Sequence, residues 1–245
     1  MSQFKLNNIE VYSDVESIQA QMGIIIQSSK LTKYINGIDL SVLDIKKIRI
    51  DAVKWFCPPK SISPEKLGFL FMELECISRE TGQPVPGVVF LRGGAVAVYI
   101  VIEVDGKNYV VLTEQVRVPC GRKLLEIPAG MLDGSGNFAG VAMKEISEET
   151  GLKAPTIDEL IVLGEPIIPS GGGCDEFIQL FFWKTTIDKD NLEYMKTKIF
   201  GAPEENESIR LVFIPEEEYE QKLFSEINDV KAICAQFRAK HNGYC

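Results

Sequence analysis

Three glutamates at helical spacing are the most distinctive chemical feature of this sequence. Glu145, Glu148 and Glu149 stand at positions i, i+3 and i+4, so a helix would place their carboxylates on one face. Such a face is unfavourable by itself, because two unit charges about 4 Å apart repel by about 4 kcal/mol at an effective dielectric of 20. A bound divalent cation removes that cost, and oxygen-only ligands favour Mg²⁺ or Mn²⁺ over zinc. On these residues alone, an exposed helix with solvated glutamates is the alternative.

The composition limits which other chemistry is available. The chain has 245 residues, of which 45% are hydrophobic and 25% charged, as in ordinary globular proteins. Its 26 basic and 35 acidic side chains give a net charge of −9, and residues 87–245 carry the whole excess because residues 1–86 are neutral. An acidic chain is unsuited to displacing counterions from phosphates, so we expect no nucleic-acid partner.

The single histidine, His241, removes a group of mechanisms. Without a second histidine there is no Ser-His-Asp triad, no activated Cys-His pair and no His-x-x-x-His zinc site. Six cysteines form no C-x-x-C pair, which predicts reduced thiols and a cytoplasmic location. No apolar run approaches about 20 residues, and the first residues lack a secretory pattern, so we expect no membrane partner.

Elements on both sides of the glutamates must position them. The pattern predicts a helix over 138–150 that ends at Gly151, and a helical region from Pro215 to residue 240. Shorter helices are predicted over 15–21 and 24–34, and strands over 48–56, 67–77, 88–103, 109–118, 124–127, 161–166, 177–185 and 209–213. Strands and helices do not alternate strictly, which favours an α+β fold with a mixed sheet.

The surroundings of the glutamates resemble the Nudix box. That pattern runs Gly, five residues, Glu, seven residues, Arg-Glu, an aliphatic, any residue, Glu-Glu, any residue, Gly, an aliphatic. Seven positions match it in register: Gly130, Glu145, Ile146, Glu148, Glu149, Gly151 and Leu152. Two positions depart, because Gly136 stands where the first Glu is expected and Lys144 where Arg is expected. In the family these two positions are thought to form an ion pair that braces the loop and the helix. Losing both partners together costs less than losing one, so the departures put the rigidity of the box in doubt and not its metal ligands.

Five further segments resemble the nucleotide-sugar pyrophosphatases, most of all the plant-type ADP-sugar diphosphatases. They are residues 79–94, 114–118, 126–131, 170–176 and 205–210. The resemblance implies a Nudix fold, with a mixed β-sheet sandwiched between helices in a hydrolase domain over 87–245. A small N-terminal antiparallel β-sheet in 1–86 would serve a homodimer.

The implied activity is Mg²⁺-dependent hydrolysis, with Mn²⁺ as a substitute, of the pyrophosphate bond of an ADP-sugar or UDP-sugar. The products are a nucleoside monophosphate and a sugar 1-phosphate. Two alternatives stay open. One is an ADP-ribose pyrophosphatase, and the other is a non-catalytic Nudix domain that binds a nucleotide sugar.

The resemblance also implies roles for individual residues. The expected metal ligands are the Ala129 carbonyl, Glu145, Glu148, Glu149 and Glu207. The expected catalytic groups are Glu205, as general base, with Glu145 and Glu149. The expected substrate-binding residues are Arg92, Arg117 and Gly173. A polar surface loop, surface ion pairs and a flexible turn are the respective alternatives for the 205–207 loop, the arginines and the glycine.

Two other features invite a functional interpretation that we do not adopt. In relatives, aromatic residues of the N-terminal sheet can stack on the base of the substrate. For Trp55 and Phe56 a core role is favoured, because the match to those relatives fails in this stretch. Cys174 has no histidine to activate it and is not predicted to be a nucleophile.

Overall fold

The computed structural model describes residues 4–132, 136–201 and 207–245. The chain forms two compact units. The N-terminal unit comprises Met1–Gly93 and Ser170–Glu176, and the C-terminal unit comprises Gly94–Pro169 and Phe177–Cys245. Residues 87–93 and 170–176 therefore belong to the first unit, whereas the division at residue 86 assigns them to the second; that division into functional domains stays a prediction.

The N-terminal unit contains six strands and three α-helices among its described residues. In chain order they are β1 (Phe4–Leu6), β2 (Ile9–Tyr12), α1 (Glu16–Gln19), α2 (Met22–Ile25), α3 (Ser29–Gly37), β3 (Leu43–Trp55), β4 (Leu67–Ser78), β5 (Pro84–Val85) and β6 (Val88–Leu91). They form one sheet in the order β1-β2-β3-β4-β5, with β6 also paired to β4. One face of this sheet packs on the three helices, and alternate residues of β4 are therefore buried.

The C-terminal unit contains eight strands and four α-helices among its described residues. They are β7 (Ala95–Val104), β8 (Lys107–Arg117), β9 (Arg122–Glu126), β10 (Ala129–Met131), α4 (Phe138–Thr150), β11 (Ile161–Val162), β12 (Ile178–Thr186), α5 (Lys189–Thr197), β13 (Ile199–Phe200), β14 (Ile209–Pro215), α6 (Glu216–Ser225) and α7 (Val230–His241). The sheet order is β11-β12-β7-β8-β14-β13, with β10 on β7 and β9 on β8. Only β12 and β7 run parallel among these pairs.

The central strand β7 shows why this sheet is covered on both faces. Its even-numbered residues from Val96 to Ile102 belong to a core that includes residues of α4 and α5. Its odd-numbered residues from Ala97 to Val101 pack with residues of α6 and α7. A strand that is buried on both faces has a nearly continuous apolar sequence, which explains the sequence AVAVYIVIEV. The predicted mixed sheet between helices is confirmed.

Two details of the N-terminal half differ from the predictions. The predicted antiparallel sheet is a six-stranded sheet in which β2 and β3 run parallel. The single strand predicted over 88–103 is wrong, because β6 and β7 belong to different sheets. The chain leaves the strand where Arg92 N and Gly93 N donate hydrogen bonds to Asp175 Oδ1, and Gly93 has a φ of +84°.

The described residues contain no helix that combines the length and the apolar character needed to cross a membrane.

Candidate active site

Helix α4 presents the three glutamates and has a clear local origin. The Asn137 side chain caps its first turn by accepting a hydrogen bond from Gly140 N at 2.9 Å. Gly151 ends the helix in the left-handed region, with a φ of +68°. Gly136, one of the two departures from the box, has a φ of +81°, a conformation that favours glycine over the glutamate of the pattern. The predicted bounds of this helix are confirmed.

Glu149 is the buried acid of the site, with only 4% of its surface exposed. Its Oε2 accepts a hydrogen bond from Ala129 N at 3.0 Å, which fixes the carboxylate against the start of β10. Burial and then the neighbouring charge of Glu145 raise the pKa of Glu149 to about 8, and Glu207 adds to this effect. The Ala129 hydrogen bond and the charge of Arg117 oppose it. Excess negative charge at a desolvated position is the electrostatic signature of a cation site.

Glu145 lies beside the same segment. A side chain at Gly130 would overlap its carboxyl group, because a Cβ there would meet Glu145 Cδ and Oε1. The absence of a side chain at residue 130 therefore lets Glu145 lie against the backbone next to Ala129. Two carboxylates from successive turns of α4 thus approach one short stretch of β10.

The remaining predicted acidic residues are in different surroundings from Glu145 and Glu149. Glu148 pairs with Lys144, with Nζ and Oε2 3.3 Å apart, and its side chain is more exposed. Glu207 is near enough to affect the pKa of Glu149. Glu205, the predicted general base, lies outside the described residues.

The side chains of the site can be compared with the ligands that a divalent cation requires. No three Asp, Glu, His or Cys side chains of the described ranges approach closely enough to enclose a metal ion. Glu145 and Glu149 fit a hard cation nonetheless, because they are oxygen ligands whose charges repel each other at a buried position. The Ala129 carbonyl, Glu148 and Glu207 stay predicted ligands.

Next to this pair lies a buried network of alternating charges. Glu126 Oε2 accepts a hydrogen bond from Arg117 Nε at 2.6 Å, and its Oε1 accepts one from Lys231 Nζ at 2.9 Å. Lys231 Nζ also donates to Asp229 Oδ1 at 2.8 Å. The other oxygen of Asp229 accepts from Ile127 N at 3.1 Å. The network joins the first turn of α7 to β8 and to the segment that leads into the site.

Sequence reasoning missed three members of this network: Glu126, Asp229 and Lys231. A usable signal existed for Glu126, which stands between the apolar Leu125 and Ile127 directly before the Pro128–Gly130 segment. A charge at such a position is buried only with a partner. Asp229 and Lys231 lie within the single helical region predicted from Pro215 to residue 240, whereas the structure ends α6 at Ser225 and begins α7 at Val230. Their partners lie about a hundred residues away.

Arg92 and Gly173 belong to the N-terminal unit. Arg92 Nη1 pairs with Glu176 Oε1 at 2.9 Å, and its Nε is buried without a hydrogen-bond partner among the described residues. The Gly173 carbonyl accepts from Phe90 N at 2.7 Å, and Gly173 N donates to Ser170 O at 3.3 Å. Both polar groups of Gly173 are thus used within the unit. Substrate contacts by these residues stay predictions.

Trp55 and Cys174 of this unit have the structural roles expected of them, whereas the core role predicted for Phe56 is wrong, because Phe56 is 51% exposed. Trp55 Nε1 donates to Gln21 Oε1 at 2.6 Å, and its ring packs on the N-terminal core. Burial raises the pKa of the Cys174 thiol, the opposite of what a nucleophile requires.

Comparison with known proteins gives the family. The NUDIX domain family model matches residues 91–234, and the chain therefore belongs to the Nudix family. This confirms the resemblance seen in the sequence.

Individual relatives agree with this assignment. The chain is 40% identical over 188 residues to "Nudix hydrolase 14, chloroplastic" of Arabidopsis thaliana, covering 74% of this chain and 59% of that protein. It is 34% identical over 108 residues to "ADP-ribose pyrophosphatase" of Bacillus subtilis (strain 168), covering 44% of this chain and 55% of that protein. The chain thus spans less than two thirds of the length of both.

A solved structure described as "Crystal structure of ADP compounds hydrolase" superposes with a TM-score of 0.51. It covers 82% of this chain and 99% of that one at 16% identity, which supports the fold alone.

Proposed function

We propose that this protein hydrolyses the pyrophosphate bond of a nucleotide sugar, an ADP-sugar or UDP-sugar, to a nucleoside monophosphate and a sugar 1-phosphate. The observation that carries the proposal is the pair of glutamates on α4, with buried Glu149 bonded to Ala129 N and Glu145 lying against Gly130. Membership of the Nudix family supports the hydrolysis of a pyrophosphate bond.

The chain's own residues supply binding and orientation. A bound Mg²⁺ or Mn²⁺ offsets charge on the phosphoryl oxygens and lowers the pKa of bound water. Glu145 and Glu149 would hold it, with Ala129, Glu148 and Glu207 as further ligands. Ala129 N keeps the Glu149 carboxylate in one orientation.

Two basic residues and one acid complete the proposed machinery. Arg117 and Arg92 would bind phosphate oxygens, since a guanidinium can contact two oxygens at once. Glu205 would accept the proton of the attacking water as general base. A homodimer formed through the N-terminal sheet belongs to the proposal, and sedimentation over a range of concentrations measures it.

The second candidate is an ADP-ribose pyrophosphatase, favoured by the Bacillus relative's name. A third is a non-catalytic domain that binds a nucleotide sugar. The two departures at Gly136 and Lys144 motivate it, and Lys144 now pairs with the box residue Glu148.

One assay separates these candidates. The protein is incubated with ADP-glucose, UDP-glucose, GDP-mannose and ADP-ribose in the presence of Mg²⁺, and released monophosphate is quantified. Preferred turnover of a sugar nucleotide supports the proposal, and preferred turnover of ADP-ribose supports the second candidate. Binding of a nucleotide sugar without turnover of any substrate supports the non-catalytic domain.

A matched pair of variants tests the site. Glu149→Gln should remove turnover, whereas Glu193→Gln, which removes an exposed partner of Lys196 on α5, should not. Equal turnover in the wild type and Glu149→Gln would contradict the site assignment.

A further inference from the structure

The buried charge network offers a way to control Arg117. Glu126 is 6% exposed and has two cationic neighbours, one on each carboxylate oxygen. Lys231, whose side chain is 12% exposed, occupies Oε1. Arg117 is consequently confined to Oε2, which it reaches through Nε alone.

This geometry leaves both terminal amino groups of the guanidinium without a hydrogen bond to Glu126. The Arg117 side chain is 37% exposed, although its Nε is held in a tight ion pair. Arg117 is bonded to Glu126, three residues before the Ala129 amide that holds Glu149, and its charge lowers the pKa of Glu149. A guanidinium and a free carboxylate prefer a side-by-side pair with two parallel hydrogen bonds. In this structure Lys231 holds the second oxygen, and Arg117 makes no hydrogen bond to it.

We propose that Lys231 is a positioning residue: by occupying Glu126 Oε1 it keeps Arg117 on Oε2, so that the terminal amino groups of Arg117 face the substrate phosphates. The substrate half of this inference rests on the proposed function, whereas the side-chain geometry does not. Asp229 is the second anchor, because it balances the charge of Lys231 and accepts the Ile127 amide hydrogen bond.

The consequences of removing Lys231 follow directly. In Lys231→Met both oxygens of Glu126 become available, and Arg117 turns to bind them together. One terminal amino group then points inward, and a phosphate contact is lost. Since that contact forms in the ground state and the transition state alike, KM should rise while kcat changes little.

The first test observes Arg117 without any substrate. In nitrogen-15 NMR spectra the Arg117 side-chain signals are identified by their absence in Arg117→Lys. A two-bond pair with Glu126 slows rotation of the terminal amino groups, so their signals should become separately resolved in Lys231→Met. The control, Lys222→Met, removes an α6 partner of Glu226 and should leave these signals unchanged. Identical Arg117 signals in the wild type and Lys231→Met would overturn the proposal.

The second test is a double-mutant cycle on hydrolysis. Lys231→Met should raise KM about 10-fold, the usual effect of losing one charge-assisted hydrogen bond, with kcat within about twofold. In the Arg117→Lys background, where no two-bond pair can form, the same substitution should leave KM unchanged. A merely structural role would instead give equal effects in both backgrounds, which overturns the proposal.

Two outcomes need a further variant or measurement: a variant that does not fold, and a wild type without turnover. If Lys231→Met does not fold, Lys231→Ala replaces it, because alanine also removes the charge and leaves no donor at Glu126 Oε1. If the wild type hydrolyses no nucleotide sugar, the proposed function fails, while the NMR comparison still decides whether Lys231 positions Arg117.

Discussion

Two glutamates of the C-terminal unit, Glu126 and Glu149, are almost equally buried, at 6% and 4% exposed. Their pKa values nevertheless shift in opposite directions. Burial raises the pKa of both, but Lys231 and Arg117 reverse this for Glu126, whose pKa falls below its ordinary value. Glu149 has Glu145 as its main charged neighbour, and its pKa rises to about 8.

The difference separates a structural cluster from a functional one. At Glu126 two anions and two cations balance within hydrogen-bond distance, so the cluster is complete. Among the described residues, the carboxylates on α4 exceed the neighbouring positive charge, which agrees with the proposed cation site. Burial alone therefore does not identify a site; the charge of the neighbours does.

The largest expected effect tests the balanced cluster. Asp229→Ala leaves Lys231 with one partner and the Ile127 amide without its acceptor, so it should lower the free energy of unfolding by about 3–5 kcal/mol. Asp188→Ala removes another N-terminal helix cap, that of α5, and should cost about 1 kcal/mol. Urea titrations of both variants measure the difference. Equal losses in the free energy of unfolding would show that Asp229 contributes no more than an ordinary helix cap.

The next effect tests the unbalanced cluster. Glu149→Gln should reduce the rate of monophosphate release more than about 100-fold, because it removes a proposed metal ligand, and such a loss exceeds the effect typical of outer-shell partners. Its free energy of unfolding without metal should not fall, because glutamine still accepts the Ala129 hydrogen bond and carries no charge. Destabilisation comparable to that of Asp229→Ala would show that the two clusters do not differ.

A smaller effect concerns the position of Glu145. Gly130→Ala introduces a methyl group where the Glu145 carboxyl lies, so that side chain must move. Misplacing a group in the site should lower turnover about 10-fold to 100-fold. Gly23→Ala in α2 is the control, since a Cβ there meets nothing within 4 Å. Unchanged turnover in Gly130→Ala would remove Glu145 from the site.

The smallest effect is a pH dependence. The pKa of Glu126 is lower in the folded protein than its ordinary value of 4.5, so its contribution to stability is present above that value. It is lost as the pH falls through the folded pKa. The stability gap between the wild type and Glu126→Gln, measured in urea from pH 7 to pH 3, should therefore narrow with acid. A gap that widens would contradict the stabilising role of Glu126.

Much of the fold was predictable where the signals are local. The turn at Asp105–Gly106 joins β7 to β8 with positive φ at both residues, as expected of this dipeptide. Helix α4 has the predicted bounds because its cap and its terminal glycine are within the segment itself. The N-terminal helices were less predictable, since α1, α2 and α3 are short and begin and end at residues other than those expected.

The break between β6 and β7 shows the limit of local patterns. Residues 88–103 form one apolar run, yet Asp175, more than 80 residues away, takes the amide hydrogen bonds of Arg92 and Gly93. A side chain at Gly94 would overlap the ring of Phe177. Neither contact leaves a trace in the pattern of hydrophobic residues.

The sequence by itself determined the family, the helix that carries the glutamates and the exclusion of histidine-based chemistry. These follow from residue types at short spacing, which constrain the chain before any long-range contact forms. Tertiary structure decided that Glu149 is buried and bonded to Ala129, and that Lys231 reaches Glu126. The reason is physical: the charge state and orientation of a buried group depend on neighbours that only folding brings together.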